Sequence, residues 1–420
     1  MNQIDRSFNY RGLPCIYSDG RYYLINYYTL QSASFKNPGE LNDPDSIKRL
    51  IDEGIIGTVA NPDTIRDELH LTFILTTDCN LRCDYCYTES KIQKLFLSPK
   101  TAKDIIDSLF GQGFVGRVYV QFFGGEPTLN IPAIKTILNR VRSHSSNPFF
   151  YITTNGTFDE HVLQLLIDER IGLYLSLDGI GEYHDLHRKT VSGEGTYSVV
   201  MKNLESVLQA GLPCKIRSTI TPDNVAGMTA FTEEMFRMGV RLIHFTPVAN
   251  VGFASGKDDL EADEVFQDTY VSNLVKALSI AEHYGAQLVT PLSLALKRGA
   301  RPHCKIFSNT TKYIITPEGK LSFCYGIQSS ANSFSNLFLA GKLDPNQGRF
   351  SHSDSVRRNL EVAYETIVRN YCSDCFASFV CGGGCFVQNL SACGSLLELN
   401  KSFCSLQKKI VYALLLKMLK

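Results

Sequence analysis

Between about residue 70 and residue 250, short apolar runs alternate with amphipathic helical patterns, and this alternation constrains the fold more than any other feature of the chain. His70–Thr77, Val118–Phe123, Phe149–Thr154, Leu173–Asp178, Lys215–Ile220 and Leu242–Pro247 read as strands. Ser98–Phe110, Ile131–Ser145, Glu160–Glu169, Tyr197–Ala210 and Val225–Met238 read as the helices between them. Strands separated by helices of this length predict a parallel sheet with helices packed outside it. Six such units make most of a barrel, so the expected fold class is α/β, a partial (β/α)6 barrel. Helical patterns continue through 261–298.

The flanks differ in character. Residues 1–69 predict a small α+β cap: a hairpin over Leu13–Leu30 turning at Ser18-Asp19-Gly20, and a short helix over Asp43–Gly54 capped by Asp45 or Ser46. Beyond about residue 300 the pattern turns to short strands, Tyr313–Thr316 and Leu321–Cys324, around Pro317-Glu318-Gly319-Lys320. The final IVYALLLKMLK predicts an amphipathic helix docked on the body, with a partner helix as the lesser alternative. The expected organisation is therefore 1–69, 70–300 and 301–420.

Composition narrows the function. Lys and Arg number 42, Asp and Glu also 42, and this balance gives no whole-chain case for nucleic acid or a membrane surface as partner. The start MNQIDRSFNYRG has no signal-peptide core and no stretch is apolar enough to predict a membrane helix, so a cytoplasmic location is expected. The 13 cysteines are odd in number, which excludes an all-disulfide framework, and in a reducing compartment they point to metal. Their placement is uneven. Cys79, Cys83 and Cys86 fall together, Cys372, Cys375, Cys381 and Cys385 fall together, and Cys304, Cys324 and Cys404 flank the second group. Cys15 and Cys214 read as ordinary buried thiols, and Cys393 is left over.

The first group reads CNLRCDYC and directly follows the first strand of the alternation. Three thiolates on one tight loop suit three irons of a cubane and leave the fourth open to a ligand. A zinc loop or unrelated thiols are the bland alternatives. The stretch resembles the signature of radical S-adenosylmethionine (radical SAM) enzymes, with Tyr85 before the third Cys. Further marks of that family stand in order at later strand ends: Gly124-Gly125-Glu126-Pro127, then Thr153-Thr154-Asn155-Gly156, then Ser176-Leu177-Asp178-Gly179 with His184, Asp185 and Arg188 after it. All fall at the C-terminal ends of strands, where barrels place their active sites. The match covers about residues 70–250 and implies a TIM-like partial barrel. It implies that Cys79, Cys83 and Cys86 hold a [4Fe–4S] cluster, and that Gly124, Gly125 and Glu126 hold the methionine amino group of S-adenosylmethionine. Ser176 and Arg188 would hold its carboxylate, which a planar guanidinium suits, and Asn155 its ribose or sulfonium side. Taken alone, the Gly-Gly pair reads as a turn, Arg188 as a surface charge and Asn155 as a turn former. Asp178 stays open between ligand contact and capping. No catalytic residue is assigned.

The C-terminal cysteines run Cys304, then Gly319 and Cys324 in a GX4C spacing, then C-x2-C-x5-C-x3-C over Cys372, Cys375, Cys381 and Cys385, then Cys404. This resembles the seven-cysteine pattern of SPASM domains on radical SAM peptide-modifying enzymes; structural zinc ribbons are the alternative. The resemblance implies two auxiliary [4Fe–4S] clusters, three in all. Cys372, Cys375, Cys381 and Cys404 would close one. Cys304, Cys324 and Cys385 would hold the other, whose fourth iron is open or takes His303 or Cys393, since no cysteine lies between Cys304 and Cys324.

The implied activity is reductive cleavage of S-adenosylmethionine followed by hydrogen abstraction from a ribosomally made precursor peptide with a leader, ending in a thioether, C–C or ether cross-link. A flavodoxin- or ferredoxin-type protein would supply the electron. Formylglycine formation, as in anaerobic sulfatase-maturing enzymes, is the second branch. Its members usually begin near the first Cys motif and carry Asp after the GX4C cysteine, whereas here Cys79 is preceded by 78 residues and Cys324 is followed by Tyr325. Residues 1–69 would recognise the leader by strand addition or pack on the barrel as a cap. An iron–sulfur redox carrier or a zinc-binding structural protein is the non-enzymatic alternative.

Overall fold

The computed structural model describes residues 3–26, 29, 31–53, 55–56, 68–88, 93–111, 116–293, 304, 311–344, 349–352 and 354–419. Two sheets organise it. The first is a four-stranded antiparallel sheet of β1 (Phe8–Tyr10), β2 (Leu13–Ser18), β3 (Arg21–Asn26) and β4 (Gln31–Phe35), in that order. β2 and β3 form the expected hairpin, with Asp19 and Gly20 at φ 48° and 80° in the turn. The flanking β1 and β4 carry no strong strand pattern in sequence. The short helix α1 (Pro44–Asp52) is capped by Asp43, whose carboxylate accepts from the Ser46 N–H at 2.8 Å, rather than by Asp45 or Ser46. Pro44 explains the shift, since it sits well at the first helical position, where an N–H has no partner anyway. Gly54 and residues 27, 28 and 30 of the expected elements lie outside the described residues.

The second sheet has eleven strands in the order β11-β10-β9-β8-β7-β6-β5-β12-β13-β14-β15. Its centre is the six expected parallel strands: β5 (Glu68–Thr76), β6 (Arg117–Gly124), β7 (Phe149–Thr154), β8 (Gly172–Ser176), β9 (Cys214–Ile220) and β10 (Leu242–Pro247). Helices α2 (Pro99–Phe110), α3 (Ile131–His144), α4 (Glu160–Asp168), α5 (Tyr197–Gln209) and α6 (Met228–Arg237) connect them. β9 shows why the strands form: Ile216, Ser218 and Ile220 are buried while Lys215, Arg217 and Thr219 are partly open, the period of two that puts alternate side chains on opposite faces. Helix starts are set by local caps, such as Ser98 accepting from Thr101 and Asp159 accepting from Val162.

One sequence expectation is corrected here. The stretch 261–298 is not helical throughout: α7 (Glu264–His283) ends and β11 (Gln287–Val289) adds a seventh parallel strand beside β10. Gln287-Leu288-Val289 is too short to show a strand period against the helix before it; residues 294–298 lie outside the described residues. The strands of the C-terminal region continue the barrel sheet. β12 (Thr311–Ile315) pairs in parallel with β5, and β13 (Lys320–Ser322), β14 (Leu339–Asp344) and β15 (Arg349–His352) continue the same sheet.

The rest of the C-terminal region comprises α8 (Asp354–Ile367), α9 (Phe386–Cys393) and α10 (Lys401–Met418). The final apolar stretch belongs to α10, which lies on α7 through Lys409–Asp268 and Lys417–Glu282 contacts of 2.5 and 2.9 Å. It buries Ile410, Val411, Leu414 and Leu415, each such side chain contributing on the order of 2 kcal/mol of apolar burial. The small sheet packs one face on this body through Ile16 and Ile25, and the other on α1 through Leu24, Phe35 and Leu50. Its polar anchors lie in the C-terminal region: Asn9 N–H donates to Asp374 O and Tyr412 Oη to Tyr17 O. Among the described residues no helix is long and apolar enough to cross a membrane.

Candidate active site

β5 delivers the chain to the three-cysteine loop, and the end of β6 fixes that loop from the side. Gly125 N–H donates to Thr76 O at 2.9 Å and Glu126 N–H to Asp78 O at 2.8 Å. The approach is so close that a Cβ on Gly124 would lie 2.3 Å from Thr76 O, and one on Gly125 2.2 Å from Asp78 O. Gly124 also holds φ at 146°, where side chains are rare. The Gly-Gly pair is thus required by the cysteine loop itself. Arg82 closes the other side, its N–H donating to Lys189 O at 2.8 Å and its guanidinium to Cys79 O at 2.7 Å.

Cys79, Cys83 and Cys86 are all free and half-buried. Burial pushes the thiols of Cys79 and Cys83 up to about 12, and Arg188 pulls the Cys83 thiol back down. A thiolate trio here therefore demands added positive charge, which iron centres supply to cysteine ligands. Cys79 Sγ also accepts from Leu81 N–H at 3.4 Å, and hydrogen bonds to sulfur are part of how such sites are tuned.

Glu126 is 1% exposed and ties the strand ends together. Its carboxylate accepts from Thr128 N–H and Oγ1, from Thr154 Oγ1 at 2.9 Å and from Asn155 N–H at 2.8 Å. Burial nevertheless holds its pKa above the usual carboxylate value. The Asn155 amide nitrogen donates to Asn80 Oδ1 at 2.8 Å and faces Cys79 Sγ at 3.9 Å, while its oxygen caps Thr157. Asn155 is therefore both a turn former and a wall of the cysteine loop.

Asp178 resolves the ambiguity left by the sequence. One carboxylate oxygen accepts from Thr219 N–H at 2.8 Å, the other from Arg188 Nε at 2.7 Å and from the Tyr85 hydroxyl. Tyr85 lies under the Arg188 guanidinium, 5.6 Å from ring centre to carbon. Arg188 is not a surface charge: it is 8% exposed and its charge is held by Asp178. Behind it, Asp178 N–H donates to His184 Nδ1, which assigns the His184 proton to Nε2, facing Thr196 Oγ1 at 3.0 Å; that hydroxyl donates on to Arg188 O. Burial and the Arg188 charge depress His184 to about 4, so it is neutral.

Ser176 ends β8, paired in register with Arg217 on β9. Arg217 escapes the motif reading. Its signal in sequence is only the alternation Lys215-Arg217-Thr219, which places it on the strand face of Lys215, whose ammonium reaches Tyr174 Oη at 3.3 Å. The Arg217 charge is felt at the hydroxyl of Tyr87, which burial raises, together with those of Cys86, Cys324 and Tyr325. Tyr87 is 39% exposed, and a Cβ on Gly326 would lie 3.5 Å from its ring and 3.6 Å from Cys324 Sγ. It therefore stands between the first cysteine loop and the C-terminal cysteines. Nearby, Tyr325 packs on Phe123 at 5.4 Å and lies under Lys312 Nζ at 4.0 Å.

The C-terminal cysteines separate into the two expected sets only in part. Cys372, Cys375, Cys381 and Cys404 line one cavity together with Gly383 and Gly384. Those glycines hold φ at 81° and 84° and turn backbone N–H groups towards Cys372 and Cys381. Burial, helped by the charge of Cys385, pushes the Cys324 thiol up to about 12, and Cys324 Sγ accepts from Gly326 N–H at 3.4 Å. Cys304 packs on the same apolar cluster as Cys324. His303 lies outside the described residues, and Cys393 is half-buried at the end of α9. Among the described residues no three His, Cys, Asp or Glu side chains converge as they would on a single metal ion.

Comparison with known proteins follows this geometry. Residues 73–262 match the profile described as Radical SAM superfamily. A 177-residue stretch is 32% identical to the mycofactocin maturase MftC of Mycobacterium tuberculosis, covering 41% of this chain and 43% of that protein. The first curated relatives are matched over less than two thirds of their own length. The solved structure of anSMEcpe with bound AdoMet and the Cp18Cys peptide superposes at TM-score 0.68 and 19% identity, covering 84% of this chain and 98% of that one. SuiB of Streptococcus suis bound to the precursor peptide SuiA superposes at TM-score 0.53 and 14% identity, over 91% and 96%. Both likenesses establish the fold.

Proposed function

We propose that this chain, whose residues 73–262 match the Radical SAM superfamily profile, is a radical SAM peptide maturase that cross-links a ribosomally made precursor. The observation that carries this reading is Tyr87, which directly follows Cys86 and packs with Cys324 around Gly326, where an added Cβ would lie 3.5 Å from the Tyr87 ring and 3.6 Å from Cys324 Sγ. A substrate segment seated there lies between the first site and the auxiliary cysteines.

Cys79, Cys83 and Cys86 would hold the first [4Fe–4S] cluster, and the two C-terminal sets the auxiliary ones. With S-adenosylmethionine bound, the cluster supplies one-electron cleavage of the sulfonium and hydrogen-atom abstraction. The chain's own residues position and shield. An amino group is a donor, so it suits the carbonyls of the Gly124-Gly125 turn and the Glu126 carboxylate. A carboxylate suits Ser176 and the two guanidiniums of Arg188 and Arg217. Asn155 closes the side of the cysteine loop, and the buried Asp178–Tyr85–Arg188 group keeps that side rigid.

The formylglycine reading is weaker, because the residue after Cys324 is Tyr325, packed at a tilt on Phe123 beneath a lysine, where the resemblance calls for an acid. For the leader, the small sheet has β1 and β4 as its edges; Asn9 on β1 already bonds Asp374, so β4 is the edge suited to strand addition. A flavodoxin- or ferredoxin-type protein would serve as electron donor.

The test is co-expression with the short peptides encoded beside the gene, followed by mass spectrometry. A peptide that has lost two hydrogens, fragments as a closed loop and fails to react with an aldehyde-trapping hydrazide supports the reading. A hydrazide-reactive product replaces it with formylglycine formation, and unmodified peptides in active preparations remove it.

A further inference from the structure

The four cysteines of the C-terminal cavity come from two separate segments. Cys372, Cys375 and Cys381 lie on one loop, and Cys404 lies on the first turn of α10. Nothing covalent fixes the distance between the loop and the helix. The N-terminal sheet touches both.

On the loop side, Asn9 in β1 makes two contacts. Its N–H donates to Asp374 O at 3.0 Å and its side-chain amide donates to Ser378 Oγ at 3.3 Å. Asp374 immediately precedes Cys375, and Ser378 lies midway between Cys375 and Cys381. The Asn9 side chain is itself fixed, because its oxygen accepts from Gly12 N–H at 2.8 Å in a turn with Arg11 and Gly12 at φ 51° and 85°. On the helix side, Tyr412 lies eight residues beyond Cys404, ~12 Å along the axis. Its hydroxyl donates to Tyr17 O in β2 at 2.6 Å, and its ring meets the edge of Phe376, the residue after Cys375, at 6.4 Å. β1 and β2 are paired over Phe8–Tyr10 and Leu13–Cys15, so these anchors belong to one hydrogen-bonded sheet.

We infer that the N-terminal sheet is a brace for the four-cysteine cavity, with Asn9 and Tyr412 as positioning residues that hold the loop and α10 at ligating separation. This rests on the reading that the four cysteines share a cluster. Residues that orient ligands without touching a metal typically change its retention by about tenfold or more when removed. The arrangement also links the two ends of the chain: a segment added to the sheet at β4 lies in the same ladder as the strand that holds the loop.

The experiment uses anaerobically reconstituted full-length protein. Iron release to a chelator and the electron paramagnetic resonance spectrum of the reduced protein are measured for the unsubstituted chain, Cys372→Ser, Asn9→Ala, Tyr412→Phe and the Asn9→Ala/Tyr412→Phe pair. The expected result is release about tenfold faster from the pair, confined to the iron that Cys372→Ser loses. The same spectral component shifts, while the component that responds to S-adenosylmethionine stays unchanged. Asn9→Asp keeps the acceptor for Gly12 and can receive the Ser378 hydroxyl, so it should restore the slow release. Unchanged release and spectrum in a folded pair variant overturn the brace, as does equal loss of iron from every site. If Cys372→Ser loses no iron at all, the cluster reading of the cavity falls, and the brace with it.

Discussion

The barrel mouth and the C-terminal cavity both gather cysteines but are assembled in opposite ways. At the mouth, Cys79, Cys83 and Cys86 sit on one continuous loop, and the strand ends of β5 and β6 hold it chiefly by backbone contacts, with Gly124 and Gly125 pressed against Thr76 and Asp78. In the cavity, cysteines from a loop and a distant helix are brought together, and the first strands of the chain touch both segments, the Asn9 amide reaching Ser378 and the Tyr17 carbonyl accepting from Tyr412. A site built into a parallel sheet inherits the rigidity of the ladder. A site built from loops needs a brace, and the brace can come from anywhere in the sequence.

The largest effect that would sharpen this contrast is Cys83→Ala. Formation of 5′-deoxyadenosine from S-adenosylmethionine under reduction should fall to background, read by chromatography, while C-terminal iron is retained. Loss of iron from both regions would break the claimed independence.

The mouth also rests on the buried polar group behind Arg188. His184 is held neutral at about 4 against an ordinary 6.5. The unfolded chain therefore takes up the proton first. Stability from this group is whole above the ordinary value and is lost as pH falls from there towards the folded value, in total about 3 kcal/mol. Urea midpoints across that window should drop for the natural chain and flatten for His184→Gln, which keeps one acceptor and one donor.

Next comes the backbone contact. Gly125→Ala puts a methyl group against Asp78 O and should cost about 2 kcal/mol or more in thermal or urea unfolding, with loss of first-site iron. Gly193→Ala, at φ 90° with nothing within 4 Å, should cost only the conformational penalty of about 1 kcal/mol. Equal effects would remove the argument that the cysteine loop requires the Gly-Gly pair. The smallest effect is Arg217→Met, expected to raise KM for S-adenosylmethionine about tenfold with little change in kcat, the loss of one charge-assisted hydrogen bond.

The parts legible in the sequence were those carried by local spacing. The six parallel strands show as period-two runs between helices, and the cysteine loop as eight consecutive residues. The closeness of Arg217 to Ser176 is illegible in sequence because a full strand–helix unit separates them and only sheet register joins them. The role of β12 was hidden for the same reason: its five residues read as a short strand, but nothing local says that β5, more than two hundred residues away, is its partner. Asn9 and Tyr412 carry no motif at all; their meaning exists only once both chain ends meet.

The division of labour between mouth and cavity is tested most directly by the ratio of 5′-deoxyadenosine formed to peptide modified in Cys372→Ala, with both products quantified in one reaction. The account predicts that 5′-deoxyadenosine continues to form while modified peptide is lost. Loss of both together, in a folded protein that keeps its first-site iron, would contradict it.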